Sequence, residues 1–409
     1  MKIARVLFST GISGYLHRDL AAIKAGARRN GVLYEGDPIA PGFRRIVETA
    51  DIVSVMLVLE DDQVAHGDCA DVILAGFGGR DPAFRAADHQ QALDLAIRPL
   101  LQGLDADDFR ANAQRLDDCQ PDGRPLHTAI RYGVSQALLH AAALSRKITI
   151  TEVVAQDYGS TIATEPVKLL ASCQRDDAAQ LDRMILKRVD LLPHANFMVP
   201  DDVGPQGEKL LDYARGIARR IQEIGEPDYH PRIHLDVYGT LGETFPDPAA
   251  LLDYLERLAA AAAPYHLLLE SPVIRASRSA QIDALRELRQ ALRSRGIDIG
   301  LIADEWCNTL EDAKLFADSQ AADYLQIKTP DLGGIHRSIE AVLYCRSRGM
   351  GACLGGTANE TDQSARICAQ VGLACGADFM LCKPGLGADE GLMILKNEMM
   401  RTLALVRAR

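Results

Sequence analysis

The sequence predicts an α/β protein, with a (β/α)8 barrel of the TIM type over residues 161–409 and an α+β domain before it over residues 1–160. Two observations carry that prediction. Between Pro166 and Cys382, eight short apolar runs alternate with helix-length segments, and nothing before Pro166 keeps that rhythm. Three of the runs end in an acid: Arg232-Ile-His-Leu-Asp236, His266-Leu-Leu-Leu-Glu270 and Gly300-Leu-Ile-Ala-Asp304. From each acid to the next is 34 residues. A strand, a helix and two loops together need about 30 residues, so the repeat matches successive βα units of a parallel sheet. Length agrees, because a barrel takes about 250 residues and a chain of 409 leaves room for a smaller companion.

In the first domain, Ser54–Glu60 and Val64–Ala70 flank the acidic turn Asp61-Asp-Gln and read as a hairpin. Helical spacing follows over Asp88–Gln102, Ala106–Leu116 and Leu126–Ser145, the last starting just after Pro125. The barrel strands are then Val167–Ser172, Val189–His194, Ile233–Val237, His266–Glu270, Ile297–Asp304, Tyr324–Lys328, Ala352–Gly356 and Phe379–Cys382. Between them lie helices at Gly207–Glu223, Pro248–Ala262, Ala280–Arg295, Ile335–Arg348 and Glu360–Cys375, with a closing helix at Gly391–Val406. An open doubly wound sheet would carry a glycine-rich phosphate turn after its first strand. Here that strand runs into Cys173-Gln-Arg-Asp-Asp, which favours the barrel.

Composition narrows the partners. A net charge of −11 argues against nucleic acid and anionic membranes, and an anionic substrate must be attracted locally. No apolar run approaches the ~20 residues of a membrane span. The opening Met-Lys-Ile-Ala-Arg-Val-Leu-Phe-Ser reads as a strand and not a signal peptide. Nine cysteines without a C-x-x-C pair fit reduced, buried thiols in a cytoplasmic protein.

Acids at strand ends are often helix caps. Three at one repeat point instead into a single barrel mouth, where chemistry sits in such folds. Leu268 shares a face with Glu270, and Ile302 with Asp304, so each acid ends an inward row; Glu305 should point away. Converging carboxylates repel unless a hard cation neutralises them, and oxygen-only ligation suits Mg²⁺. Lys328, on the face of Gln326, would then lie near a divalent cation, where its pKa should fall toward the range of a general base. His194 ends another strand and could oppose it. Gly355-Gly-Thr-Ala could present backbone N–H groups to a carboxylate, though such loops are also plain turns.

The chain resembles the methylaspartate ammonia-lyase family of the enolase superfamily from Met1-Lys-Ile to Lys396-Asn-Glu-Met-Met-Arg-Thr-Leu-Ala-Leu-Val. The most specific pieces are Val64-Ala-His-Gly-Asp-Cys-Ala, Gly78-Gly-Arg-Asp-Pro, Leu126-His-Thr-Ala-Ile-Arg-Tyr-Gly, Asp236-Val-Tyr-Gly-Thr, Ala303-Asp-Glu-Trp-Cys-Asn-Thr and Gln326-Ile-Lys-Thr-Pro-Asp-Leu-Gly-Gly. The resemblance implies an enolase-like capping domain on the barrel and elimination of ammonia from 3-methylaspartate to mesaconate through an enolate-type intermediate. It implies Mg²⁺ on Asp236, Glu270 and Asp304, with a monovalent cation such as K⁺ as a further cofactor. Lys328 and His194 map to the opposed catalytic residues. Gln326, Thr357 and Ala358 map to carboxylate binding, and Leu381 to the wall beside the substrate's alkyl group. Either Ser172 or Gln174 could be the first-strand contact. A cytoplasmic homodimer acting on a small amino acid, without nucleic-acid or membrane partners, completes that expectation.

Three wall positions depart from the family: Ile73 stands where Gln is usual, Cys353 where Tyr is usual, and Ala358 where Cys is usual. Lost polar partners would leave an amino acid's hydrogen bonds incompletely paired, at about 1–3 kcal/mol per buried group. An alternative is therefore another enolase-superfamily lyase with the same proton abstraction and a bulkier or less polar carboxylate substrate.

Overall fold

A computed structural model describes residues 1–409. The eight parallel strands of the second part close into a barrel, in the order in which they occur along the chain. They run Lys168–Leu170, Leu191–Asn196, Arg232–Asp236, Leu267–Glu270, Ile299–Ala303, Tyr324–Ile327, Gly351–Leu354 and Phe379–Leu381, and are called barrel strands one to eight below. Every expected strand is present, most of them trimmed at an end, because the last residues leave the hydrogen-bond ladder to enter the loops of the mouth. The interior is filled by Leu170, Leu191, Leu268, Ile302, Cys353, Phe379 and Leu381. Leu268 and Ile302 thus face inward, which fixes the direction of the acids beyond them.

Barrel strand two departs from the expectation in a useful way. It continues past His194 to Asn196, but its register with strand three breaks between Leu192 and Ala195. Pro193 has no N–H for the ladder, so Pro193-His194 bulges. The bulge holds His194 at the mouth, where its own N–H donates to Ala171 O at 2.9 Å.

The first part is built on a three-stranded antiparallel sheet. Val47–Leu59 lies in the middle, between Ile3–Arg18 and the hairpin partner Val64–Cys69. Helix Thr128–Arg146 covers that sheet at backbone contact. A Cβ on Gly133 would lie 2.3 Å from Cys69 N, and one on Gly67 2.2 Å from Gly133 O. The helix expected over Asp88–Gln102 is divided into Ala86–Ala92, a π turn at Leu93–Ile97 and Arg98–Leu101. Pro99 cannot donate to the preceding turn, and the π turn just before it absorbs the misfit. No helix is long and apolar enough to cross a membrane.

Candidate active site

Asp236 and Glu270 are register partners across barrel strands three and four, and Glu270 pairs with Ile302, two residues before Asp304. Parallel pairing therefore sets Asp236 and Glu270 side by side, with Asp304 just beyond the end of the next strand, and each is at most 2% exposed. Their electrostatics differ. Burial, then Glu270, Glu305 and Asp304, push the Asp236 carboxyl well above its ordinary range. Burial and Asp304 do the same to Glu270. Burial also pushes Asp304 up, but Lys328 and Arg80 outweigh it and hold the group below its ordinary value. A buried, self-repelling set of carboxylate oxygens is the donor chemistry that a hard divalent cation satisfies.

Lys328 lies against Asp304 as an ion pair. Burial disfavours its ammonium, yet Asp304, Glu305 and Glu270 more than compensate, and its pKa rises. That rise belongs to the cation-free site, where the surrounding anions decide the sign; the expected fall concerns the site with a divalent cation bound. Glu305 is corrected. It is 1% exposed, accepts from the Ser271 hydroxyl and adds its charge to the acid cluster. The chain turns sharply just beyond Glu305, with Trp306 at φ +68°.

His194 faces Glu270 from the other side, with Nδ1 3.9 Å from Oε2. Its Nδ1 is 3.2 Å from Nδ1 of His234, whose Nε2 stands 3.1 Å from Glu270 Oε2. Burial, then His234 and Lys328, keep His194 well below its ordinary pKa, and burial takes His234 to about 3. Burial thus disfavours the charged form of both imidazoles. The donor atoms of His194, His234 and Glu270 lie within 4.8 Å of one another. Two imidazoles and one carboxylate suit a softer ion than three carboxylates do, and Glu270 belongs to both sets.

A cavity of about 740 Å³ opens above these groups and is lined by Lys328, His194, Asp236, Gln326, Thr357, Ala358, Leu381, Ser172, Gln174 and Ile73. The structure thus brings together the expected wall residues, apart from Cys353, which is corrected. Cys353 is fully buried in the barrel interior beneath the cavity, because its strand is still paired at that height. Gln326 Nε2 points to Glu270 Oε2 at 3.5 Å, and Gln174 Nε2 donates to the Tyr15 hydroxyl at 3.2 Å. Ile73 packs beside Leu20, Leu74 and Tyr238, and its N–H donates to Thr357 Oγ1 at 3.2 Å. The Thr357 N–H is taken by Glu360 Oε2 at 2.9 Å, whereas the Ala358 N–H has no partner within the protein.

Two contributors carried no assigned role in the sequence. His234 precedes Asp236 by two residues on the same strand, so its inward direction was readable from alternation alone. Arg80, in the run Gly78-Gly-Arg-Asp-Pro, is buried; its Nε donates to Asp331 Oδ2 at 2.7 Å and its Nη2 stands 3.7 Å from Asp304 Oδ1. Nothing local in that run says that it reaches a barrel mouth more than two hundred residues away in sequence.

Sequence comparison gives the same architecture a family. The profile of the methylaspartate ammonia-lyase N-terminus matches residues 1–159, and that of the C-terminus residues 161–408. The chain belongs to the methylaspartate ammonia-lyase family. It is 48% identical to methylaspartate ammonia-lyase 2 of Carboxydothermus hydrogenoformans, covering 100% of this chain and 99% of that protein. A Mg complex of β-methylaspartase from Clostridium tetanomorphum superposes with a TM-score of 0.93 at 46% identity, over 100% of both chains. The Citrobacter amalonaticus enzyme containing (2S,3S)-3-methylaspartic acid gives 0.95 at 45% identity, again over 100% of both. Muconate lactonizing enzyme from Pseudomonas fluorescens shares the fold, with a TM-score of 0.63 at 17% identity over 92% of this chain and 87% of that one. The family is one of carbon–nitrogen lyases.

Proposed function

We propose that this chain eliminates ammonia from 3-methylaspartate to give mesaconate, with a capping unit over 1–160 and the catalytic barrel over 161–409. The observation that carries the reading is the pairing of Lys328 and His194 on opposite flanks of one buried carboxylate cluster. Asp236, Glu270 and Asp304 would hold Mg²⁺, whose charge would stabilise the negative charge that develops on the substrate carboxylate next to the reacting carbon. A bound cation would offset the anions that favour the Lys328 ammonium, and Lys328 as its free amine would then take the proton from C3. The electron pair of that C–H bond is first delocalised onto the adjacent carboxylate as an enolate, then forms the C2–C3 double bond as the C2–N bond breaks, and ammonia leaves. His194 approaches C3 from the other face and serves the epimer. Its neutral state, supported by burial and by His234, leaves a ring nitrogen able to accept a proton. Gln326 and the free Ala358 N–H bind carboxylate oxygens, Gln174 or Ser172 adds a polar contact, and Leu381 lies along the alkyl group. A monovalent cation such as K⁺, a homodimer and a cytoplasmic location belong to the same family reading.

A second reading is favoured by the wall. Ile73, Leu74, Ala358 and Leu381 give the cavity an apolar side, which fits another enolase-type lyase acting on a bulkier or less polar carboxylate. The test follows the ultraviolet absorbance of the unsaturated product from 3-methylaspartate and larger 3-alkyl analogues, with Mg²⁺ and after chelation. Turnover that prefers the methyl compound and stops on chelation is expected. No product from 3-methylaspartate would overturn the first reading, and preference for a larger analogue would establish the second.

A further inference from the structure

Behind the loop after barrel strand seven lies a charge pair that the reaction above does not use. Lys383 and Glu360 are both 0% exposed, and Lys383 Nζ stands 2.7 Å from Glu360 Oε2. Two charges taken out of water are tolerated when their remaining lone pairs and protons are also satisfied. Most of those groups are partnered here. Glu360 Oε2 also accepts the Thr357 N–H at 2.9 Å. Glu360 Oε1 accepts the Tyr132 hydroxyl and lies 3.5 Å from Thr329 Oγ1, while Lys383 Nζ donates to Gly355 O at 3.3 Å.

These partners come from separate parts of the chain. Tyr132 belongs to the helix that covers the first domain's sheet, Thr329 follows Lys328, Gly355 and Thr357 form the loop, and Lys383 lies just beyond barrel strand eight. The loop is moulded onto the pair. A Cβ on Gly356, whose φ is +78°, would lie 2.0 Å from Glu360 Oε2 and 2.3 Å from Lys383 Nζ. The first domain closes the other side, since a Cβ on Gly14 would meet the carbonyl oxygens of Glu360 at 2.6 Å and Ala358 at 2.9 Å. Of two successive N–H groups, Thr357's is consumed by Glu360, and Ala358's is left without a partner at the cavity wall.

We propose that the Glu360–Lys383 pair is a positioning device, fixing the Thr357–Ala358 peptide so that the Ala358 N–H meets one carboxylate of a dicarboxylate substrate. This deepens the proposed function and rests on it for the substrate class. A carboxylate at 360 can accept from the loop N–H, the Tyr132 hydroxyl and the ammonium at once. An amide there would turn a donor toward one of them.

The double variant E360Q/K383M tests the idea, because it removes both charges with little change in volume and leaves neither stranded. Calorimetry in the presence of Mg²⁺ measures binding of mesaconate and of tiglate, which keeps the carboxylate beside the methyl group and lacks the other. Losing a hydrogen bond to a charged group is expected to weaken mesaconate about 10- to 100-fold, with tiglate and Mg²⁺ binding unchanged. The KM for 3-methylaspartate should rise more than kcat falls. A purely structural pair would lower the thermal midpoint and the active fraction, and hence kcat, and leave the ratio of the two ligands alone. A folded double variant with the parental mesaconate-to-tiglate ratio would overturn the proposal. If that variant does not fold, Tyr132→Phe removes one hydrogen bond to Glu360 and should shift the same ratio several-fold; an unshifted ratio again overturns it. A parent that binds mesaconate but does not turn over 3-methylaspartate would overturn the proposed function alone.

Discussion

Neutralising the three mouth acids one at a time in metal-free protein should change stability in opposite directions. Asp304 is the carboxylate that Lys328 and Arg80 both face. Asp304→Asn leaves two buried cations short of a partner, and breaking a buried pair from one side costs about 3–5 kcal/mol. Arg80 keeps Asp331 and Lys328 keeps the other acids nearby, so the lower end of that range is expected. Asp236→Asn and Glu270→Gln instead remove charges that the fold holds under repulsion, and metal-free protein should gain stability or stay level. The pH dependence has a matching sign. Asp236 and Glu270 have folded pKa values raised above their ordinary 3.8 and 4.5, so their ionisation erodes stability as pH rises above that range. Asp304 is depressed below 3.8, so its contribution is present above that value and is lost as pH falls through the folded one. Urea unfolding after chelation reads both effects, the first between pH 5 and pH 8 and the second as pH is taken below 3.8. Adding Mg²⁺ at about 100 times its Kd should stabilise the parent by about 2.7 kcal/mol and each variant by less. The reasoning fails if all three amides shift metal-free stability in the same direction, or if Mg²⁺ stabilises Asp304→Asn as much as the parent.

Further outcomes follow from the same geometry. Lys328→Ala should lower turnover of threo-3-methylaspartate by about 10²–10⁴ and stop deuterium exchange at C3, with Mg²⁺ still bound by titration; exchange that continues would mean another base. His194→Ala should bear more heavily on the epimer in the same exchange assay, and equal losses for both epimers would remove the division by face. Ile73→Gln combined with Ala358→Cys should raise kcat/KM for 3-methylaspartate if the apolar wall favours another substrate, and a fall would discard that reading.

Much of this was legible along the chain. The 34-residue repeat, the inward rows through Leu268 and Ile302, and a charge closing four apolar runs depend on local periodicity, which a sequence states directly. They point to the barrel and set the three acids, Lys328 and His194 at strand ends, and the long family motifs point to the chemistry. Other features were decided only in three dimensions, because they depend on what approaches from a distant part of the chain. Arg80 meets Asp304 and Asp331 across the join between the two parts, and this makes one acid of the three electrostatically unlike its neighbours. Lys328 lies among anions whose summed field outweighs its burial in the cation-free site. Cys353 is packed in the barrel interior and does not line the cavity, and Glu305 is buried against Ser271. Sequence periodicity gives the direction of a side chain within its own element. The charges, hydrogen-bond partners and walls around it come from elements whose separation in sequence carries no period at all.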